Sequence, residues 1–161
     1  MKKGTTGEAR IHISVPPEKV YDLVSDVTRM GEWSPETRKC RWLDGATGPA
    51  VGARFKGTNQ NKFVRWSTTP RVVVADEGRE FAFAVPAIIG NKDLTKWTYR
   101  FAPASDGGTE VTESFEIVND LPGYINFGDR YILGIKDRKA DLEQAMAKTL
   151  ERIKRVAEGS A

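Results

Sequence analysis

The fold of this chain has to cover one long apolar stripe, carried by the segment Ala140 to Glu158. Apolar residues recur there at helical spacing and the opposite side is charged, which predicts an amphipathic helix of about five turns. The apolar positions are Leu142, Ala145, Met146, Leu150, Ile153 and Val156. The basic residues of this region, Arg138 among them, are interspersed with acids, which predicts a solvated surface first and a weak docking surface second. A helix with one apolar face needs a partner surface of similar length.

Seven segments predict β-strands, because apolar and polar residues alternate along them. They are Ala9–Val15, Glu36–Leu43, Gly52–Asn59, Phe63–Asp76, Glu80–Val85, Leu94–Ala102 and Thr109–Val118. Short turn-forming connections such as Asp44-Gly45 predict an antiparallel meander. Pro70 lies inside the fourth segment and predicts a bulge or a sheet edge there.

Two short helices are predicted between the first and second strands. Pro16 and Pro17 suit the start of one helix, and Asp26 caps a second helix that ends near Gly31. The economical arrangement is an α+β fold in which a seven-stranded curved antiparallel sheet wraps around the long C-terminal helix. The length of 161 residues suits one domain over residues 1–161, with an ordered core over about residues 9–158.

Composition and charge exclude several functional classes. The net charge of +3 is small and the basic residues are dispersed, so no nucleic-acid partner is expected. No run of about 18 apolar residues exists, so no transmembrane segment is expected, and no apolar stretch follows the N-terminal lysines as in a signal peptide. One histidine, His12, and one cysteine, Cys40, predict no zinc site, no internal disulfide and a cytoplasmic location. No cofactor is expected, because a nucleotide-binding glycine pattern is missing.

The order of elements, together with several short motifs, resembles the START-like (SRPBCC) superfamily, in its polyketide cyclase/dehydrase and lipid-transport-like branch. The motifs are "VPPEKVYDLVSDVTRMGEWSPE", "VGARFKGTN", "FAFAV", "WTYRF", "GGTEVTESFE" and "AMAKTLERIKRVAE". The resemblance implies the helix-grip fold, with a ligand cavity between the sheet and the long helix. It also implies that the two short helices close one end of this cavity, which would place Trp33 in the end wall. The alternative for Trp33 is a plug of the core.

Strand alternation selects the side chains that face the helix. Asn59 and Glu113 are polar residues on otherwise apolar faces, and a buried carboxylate needs a partner or a raised pKa. The alternatives are a solvent-exposed or hydrogen-bonded glutamate near a strand end, and an asparagine that belongs to the turn after its strand. The segment Tyr124 to Ile135 is apolar but contains two glycines, and it is either a mobile lid or an irregular start of the long helix. The predicted ligand-binding residues are Trp33, Phe55, Asn59, Trp66, Phe83, Trp97, Tyr99, Glu113, Phe115 and Tyr131.

Three functions fit these observations. The first is binding of a small hydrophobic molecule, which the resemblance implies to be a lipid, a polyketide or an aromatic metabolite, by a monomer or weak dimer. The second is an aromatase/cyclase or dehydratase in which Glu113 or Tyr99 transfers a proton; an acid pair of Glu113 with Glu36 is also open. The third is an interaction or regulatory protein with a filled core. Without a Ser-His-acid set, the sequence favours the binder.

Overall fold

The computed structural model describes residues 1–159, which form eight strands, one long helix and several short helical segments. The strands are β1 (Thr6–Ile13), β2 (Thr37–Trp42), β3 (Phe55–Asn61), β4 (Val64–Thr68), β5 (Arg71–Asp76), β6 (Glu80–Pro86), β7 (Asp93–Pro103) and β8 (Thr109–Ile117). The helical segments are α1 (Pro17–Ser25), a 3-10 helix (Val27–Glu32), α2 (Gly123–Phe127), a π-helical turn (Gly128–Ile132) and α3 (Arg138–Gly159). The predicted α+β class and order of elements are confirmed. The predicted domain runs to residue 161, and its last two residues lie outside the described ones.

All strand pairs are antiparallel, and the strands form two sections of sheet. One section has the order β1-β8-β7-β6-β5 and the other has the order β2-β3-β4. The backbone joins them where β3 meets β5: the N–H of Phe55 donates to the carbonyl of Pro70 at 3.1 Å, and the N–H of Val72 donates to that of Ala53 at 2.8 Å. The sheet therefore turns a corner there and encloses the space in front of α3.

The strand count differs from the prediction at one place, because the segment Phe63–Asp76 is two strands. Thr69 and Pro70 separate β4 from β5, and each strand belongs to a different section of sheet. Proline has no N–H to donate to a strand ladder, so an unbroken strand is disfavoured at this position. Pro70 thus marks the corner of the sheet.

The apolar stripe of α3 packs along β1 and β8, as its periodicity predicts. Leu150 and Ile153 lie in the main core with Ile13 of β1. Leu142 and Met146 pack with Phe115, Ile117 and neighbouring side chains in a second cluster. The helix begins at Arg138, two residues before the predicted start at Ala140. Its apolar face thus covers the sheet, and its first turns border the space left between them.

The 3-10 helix packs against β2 and α1, and it is capped as predicted. The Asp26 side chain accepts a hydrogen bond from the N–H of Thr28 at 3.2 Å. Gly31 allows this helix to lie directly against β2, because a Cβ at this position would collide with the backbone oxygen of Arg38. The loop that follows therefore runs close to the sheet, where Ser34 and Pro35 reach the interior space.

Candidate functional site

A cavity of about 420 Å³ lies between the two sections of sheet and α3. Apolar side chains of β3, β4, β6 and β7 form most of its wall, and α3 closes one side with Leu142, Ala145, Met146 and Thr149. The segment Tyr124 to Ile135, for which the sequence allowed either a lid or an irregular helix start, forms α2 and the π-helical turn. It borders another side of the cavity through residues that include Ile125, Ile132 and Leu133. A helical segment separate from α3 thus forms part of the cavity wall, since α3 begins only at Arg138.

Seven of the ten predicted ligand-binding residues line this cavity. They are Phe55, Asn59, Trp66, Phe83, Trp97, Tyr99 and Glu113. All seven lie on strands, where alternation determines which side chains point inward. Their contact with a ligand stays a prediction, but the structure brings them together around one space.

The other three predicted residues lie outside the cavity wall. Trp33 is 1% exposed and packs in the core, so the plug alternative applies, while Met30, Ser34 and Pro35 of the same region line the cavity. Phe115 faces inward as predicted, but it fills the space between Trp97, Gly7 of β1 and Glu143 of α3.

Tyr131 is the third. It is 69% exposed, and its ring lies against that of Phe127 with centroids 4.9 Å apart and the planes tilted by 38°. The π-helical turn directs Tyr131 outward, whereas the next residue, Ile132, lines the cavity. The path of this irregular segment is not encoded in a strand-like alternation, so the pattern that located the other residues does not apply to it.

Tyr99 and Glu113 form a buried polar pair on the cavity wall. They are directly opposite each other on β7 and β8, and the Tyr99 hydroxyl donates to Glu113 Oε1 at 2.8 Å. Burial raises the pKa of Glu113 to about 8, and the bond from Tyr99 only partly offsets this rise. Burial and the neighbouring Glu113 carboxyl raise the pKa of Tyr99 well above its ordinary value. Glu113 Oε2 is buried and has no hydrogen-bond partner among the residues the structure describes.

Asn59 is held by two threonines, and its side chain makes no hydrogen bond with Glu113. The Thr37 hydroxyl donates to Asn59 Oδ1 at 2.9 Å, and Asn59 Nδ2 donates to the Thr68 hydroxyl at 3.3 Å. β2, β3 and β4 supply these three residues, so the chain of hydrogen bonds crosses one section of sheet. A buried amide with partners on both ends costs little to keep in an apolar wall.

A charged cluster at the edge of the cavity was missed by the sequence analysis. Arg138, at the start of α3, lies 3.2 Å from Glu36, 3.6 Å from Asp129 and 2.8 Å from Asp141. Burial lowers the pKa of Arg138, but the surrounding carboxylates raise it by more, so its pKa lies above the ordinary value. Burial also raises the pKa of Asp129. Arg138 is therefore not on a solvated face as predicted. It joins α3 to the π-helical turn and to the chain just before β2.

Glu36 was a possible acid partner of Glu113, and its contacts lie elsewhere. Its Oε1 accepts from Arg138 Nη1 at 3.2 Å and from Asn61 Nδ2 at 3.1 Å. Glu36 and Arg138 are 102 positions apart in the chain. No local spacing or periodicity connects such positions, so only the folded chain reveals the cluster.

Glu113→Gln is expected to remove most of the pH dependence of stability between about pH 5 and about pH 9. The folded protein holds the Glu113 proton up to a pKa of about 8, whereas the ordinary value is 4.5. The folded state thus binds more protons over this range, so the free energy of unfolding of the wild type falls as pH rises. Glutamine carries no charge and keeps an acceptor for Tyr99, so the variant should be the more stable protein at about pH 9, by a few kcal/mol.

Urea denaturation at several pH values measures this difference directly. Glu116→Gln is the control, because Glu116 is exposed on the same strand and its substitution should leave the pH profile unchanged. If wild type and Glu113→Gln lose stability in parallel as pH rises, Glu113 does not titrate as a buried acid.

Neither a membrane span nor a metal centre is found in the described part of the chain. No helix in residues 1–159 combines the length and the apolar character needed to cross a bilayer. Within the same residues, no group of three or more His, Cys, Asp or Glu side chains is placed to hold a metal ion.

Antiparallel sheets packed on a long C-terminal helix, with a cavity between them, are the architecture of a START-like helix-grip domain, and they are consistent with a ligand-binding class of protein. The chain belongs to the family described as polyketide cyclase / dehydrase and lipid transport, whose model matches residues 5–158. No curated protein sequence matches the chain.

Solved structures agree with this assignment. The Polyketide_cyc-like protein Cgl2372 from Corynebacterium glutamicum, solved by solution NMR, is 39% identical over 99% of this chain and 95% of its own, with a TM-score of 0.63. DR_A0006 from Deinococcus radiodurans is 18% identical over 98% of this chain and 100% of its own, with a TM-score of 0.67. Ara h 8.0201 is 15% identical over 96% of this chain and 98% of its own, with a TM-score of 0.66. The last two similarities concern the fold.

Proposed function

We propose that this protein binds a small hydrophobic molecule, of the size of a lipid or an aromatic metabolite, in the cavity between its sheet and α3. The cavity itself is the observation that carries the proposal, since its volume of about 420 Å³ falls in the usual range for ligand pockets. Empty apolar space costs packing contacts. A protein that required only a rigid core would be more stable with the space filled, which argues against the interaction protein with a filled core.

The proposed ligand contacts are the predicted residues that line the cavity. The rings of Phe55, Trp66, Phe83 and Trp97 supply apolar surface, and Asn59, Tyr99 and Glu113 supply the polar groups. A pocket of this kind gains most of its affinity from apolar burial, and the few polar groups orient the ligand.

An enzyme on the same site is the second candidate, and the Tyr99–Glu113 pair favours it. A carboxyl with a pKa of about 8 is able to donate or accept a proton near neutral pH, and Tyr99 holds it in place at 2.8 Å. Dehydration or cyclisation of a bound keto compound is the chemistry that such a group would serve. Analysis of a bound compound for new products, in wild type and Glu113→Gln, separates the enzyme from the binder.

We further infer that the protein acts in the cytoplasm as one domain, in the form of a monomer or weak dimer. The free and buried thiol of Cys40 supports a reducing compartment. Size-exclusion chromatography with light scattering tests the oligomeric state.

A fluorescence titration tests the proposed binding. Trp66 and Trp97 line the cavity, so a ligand that enters it changes the surroundings of both indoles. We expect a saturable change in tryptophan emission with some members of an apolar library that ranges from long-chain lipids to polycyclic aromatics, at micromolar affinity or about −8 kcal/mol.

Single tryptophan variants identify the site of the response. Trp66→Phe and Trp97→Phe should each reduce the emission change, whereas Trp33→Phe should retain it, because Trp33 packs in the core outside the cavity wall. If no compound changes the emission, the binding hypothesis is rejected, and the interaction protein becomes the favoured hypothesis.

A further inference from the structure

We propose that the cavity selects neutral apolar molecules that carry a hydrogen-bond-accepting oxygen, to which Glu113 Oε2 donates its acid proton, and that it discriminates against carboxylate amphiphiles such as fatty acids. This inference rests on the proposed function and names its ligand class. Two features of the described residues carry it: an unpaired buried oxygen, and a cavity wall whose guanidinium group is already paired with carboxylates.

The unpaired oxygen is Glu113 Oε2. The glutamate is 4% exposed and lines the cavity, yet Oε2 has no partner, while Oε1 accepts from Tyr99. A buried polar atom without a hydrogen bond costs free energy, so a site of this kind is completed by a ligand or by water. An apolar ligand that carries one polar group would therefore gain affinity by placing that group against Glu113 Oε2.

The ligand group that pairs with Oε2 has to accept a hydrogen bond, because the buried Glu113 carboxyl keeps its proton. Tyr99 donates to Oε1, so the acid proton resides on Oε2. β1 places Ala9 opposite Glu113, and α3 lines the cavity with Leu142, Ala145, Met146 and Thr149. The one charged residue that α3 adds to the described wall is Arg138, which is paired with Glu36, Asp129 and Asp141. Burial accordingly raises the pKa of Glu113 to about 8. A carbonyl, ether or hydroxyl oxygen accepts such a proton, whereas a hydrocarbon leaves it unpaired.

The charged groups on the wall discourage an anion. Besides Glu113 they are Glu36, Asp129 and Arg138, all at the edge of the cavity. The guanidinium of Arg138 is already engaged by those two carboxylates and by Asp141, so a ligand carboxylate would have to displace one of them. The terminal amine of Met1, whose residue also lines the cavity, is exposed and donates to Asn126 Oδ1 at 3.4 Å.

Lys62, near the same edge, is likewise engaged: its Nζ donates to the carbonyl of Leu133 at 2.6 Å. An anionic head group would therefore compete with existing hydrogen bonds for each of these cations, and inside the cavity it would meet the carboxyl of Glu113. A cationic ligand would ionise Glu113 and bury an ion pair in an apolar space, where the cost of desolvation opposes the attraction. A neutral acceptor avoids both costs.

Calorimetric titration of four naphthalene derivatives, substituted at the same ring position, tests this selection. The set consists of acetylnaphthalene, its oxygen-free analogue isopropylnaphthalene, naphthoate, and naphthylmethylamine. At about pH 6 we expect the ketone to bind about tenfold more tightly than the hydrocarbon and the carboxylate to bind weakest, in line with one buried hydrogen bond. At about pH 9.5 the ketone should lose this advantage, because Glu113 is then ionised.

Two variants assign the effect to Glu113. Glu113→Gln keeps a donor at the position of Oε2, so the preference for the ketone should persist and its pH dependence should disappear. Glu113→Leu should remove the preference while the hydrocarbon still binds. Glu116→Gln, on the exposed side of β8, should behave as wild type.

The outcomes separate this inference from the proposed function. Equal binding of ketone and hydrocarbon by wild type overturns the inference and leaves the hydrophobic binder in place. Tightest binding of the carboxylate or of the amine also overturns it. If neither these compounds nor the wider apolar library bind, the proposed function fails, and the ligand class fails with it.

Discussion

Leu150→Ala is expected to lower the free energy of unfolding by about 2–5 kcal/mol. Leu150 is 1% exposed, and it belongs to the core cluster that joins α3 to β1, α1 and the sheet. Removal of its methyl groups loses apolar burial and also leaves a void that a close-packed core only partly closes. Urea denaturation of wild type and variant measures the loss.

Lys148→Ala is the matched control on the same helix. Lys148 is exposed, so its truncation should change the free energy of unfolding by less than about half a kcal/mol. If Leu150→Ala were equally mild, the apolar stripe of α3 would not be the surface that covers the sheet.

Ala145→Phe is expected to weaken ligand binding by about 100-fold or more, which is about 2.7 kcal/mol. Ala145 borders the cavity from α3, and a phenyl ring there would occupy space that the ligand requires. The fold should persist, because the ring enters empty volume rather than a packed region. The hydrogen bond that the Thr149 side chain donates to the Ala145 carbonyl does not depend on the side chain at position 145. The tryptophan emission titration measures the affinity.

Ala147→Phe tests the same substitution outside the cavity. Ala147 lies two residues further along α3 and is exposed, so this variant has the same change of helix propensity but leaves the cavity open. Its affinity should match that of wild type. A ligand that binds Ala145→Phe as tightly as wild type would have to occupy another place on the molecule.

For the polar residues of the site, strand alternation predicts which side chains face inward but not which of them pair. Alternation along β8 put Glu113 on the face of Val111 and Phe115, and the structure buries all three. The same rule put Tyr99 inward on β7, and the register of the two strands then makes Tyr99 and Glu113 neighbours. Strand register is a property of paired strands, so the sequence predicted both residues but not the hydrogen bond between them.

Three features in and around the cavity could not be predicted from local spacing. The engagement of Arg138 joins α3 to Glu36 and to Asp129, and no periodicity relates these positions. Trp33 lies in a loop, where neither helical nor strand spacing determines its direction, and it turned into the core. The outward direction of Tyr131 follows from a π-helical turn between two glycines, which local pattern does not specify.

The sequence by itself determined the elements and their inward faces: the stripe of α3, the alternation of the strands, and the break at Pro70, which was foreseen as a bulge or an edge. These are local properties, because the spacing of apolar residues and the missing N–H of proline act within a few positions of the chain. Only the tertiary structure decided that the space in front of α3 is open. That volume of about 420 Å³ is the difference between the space enclosed by the turned sheet and the side chains that fill it, so it depends on the whole fold at once.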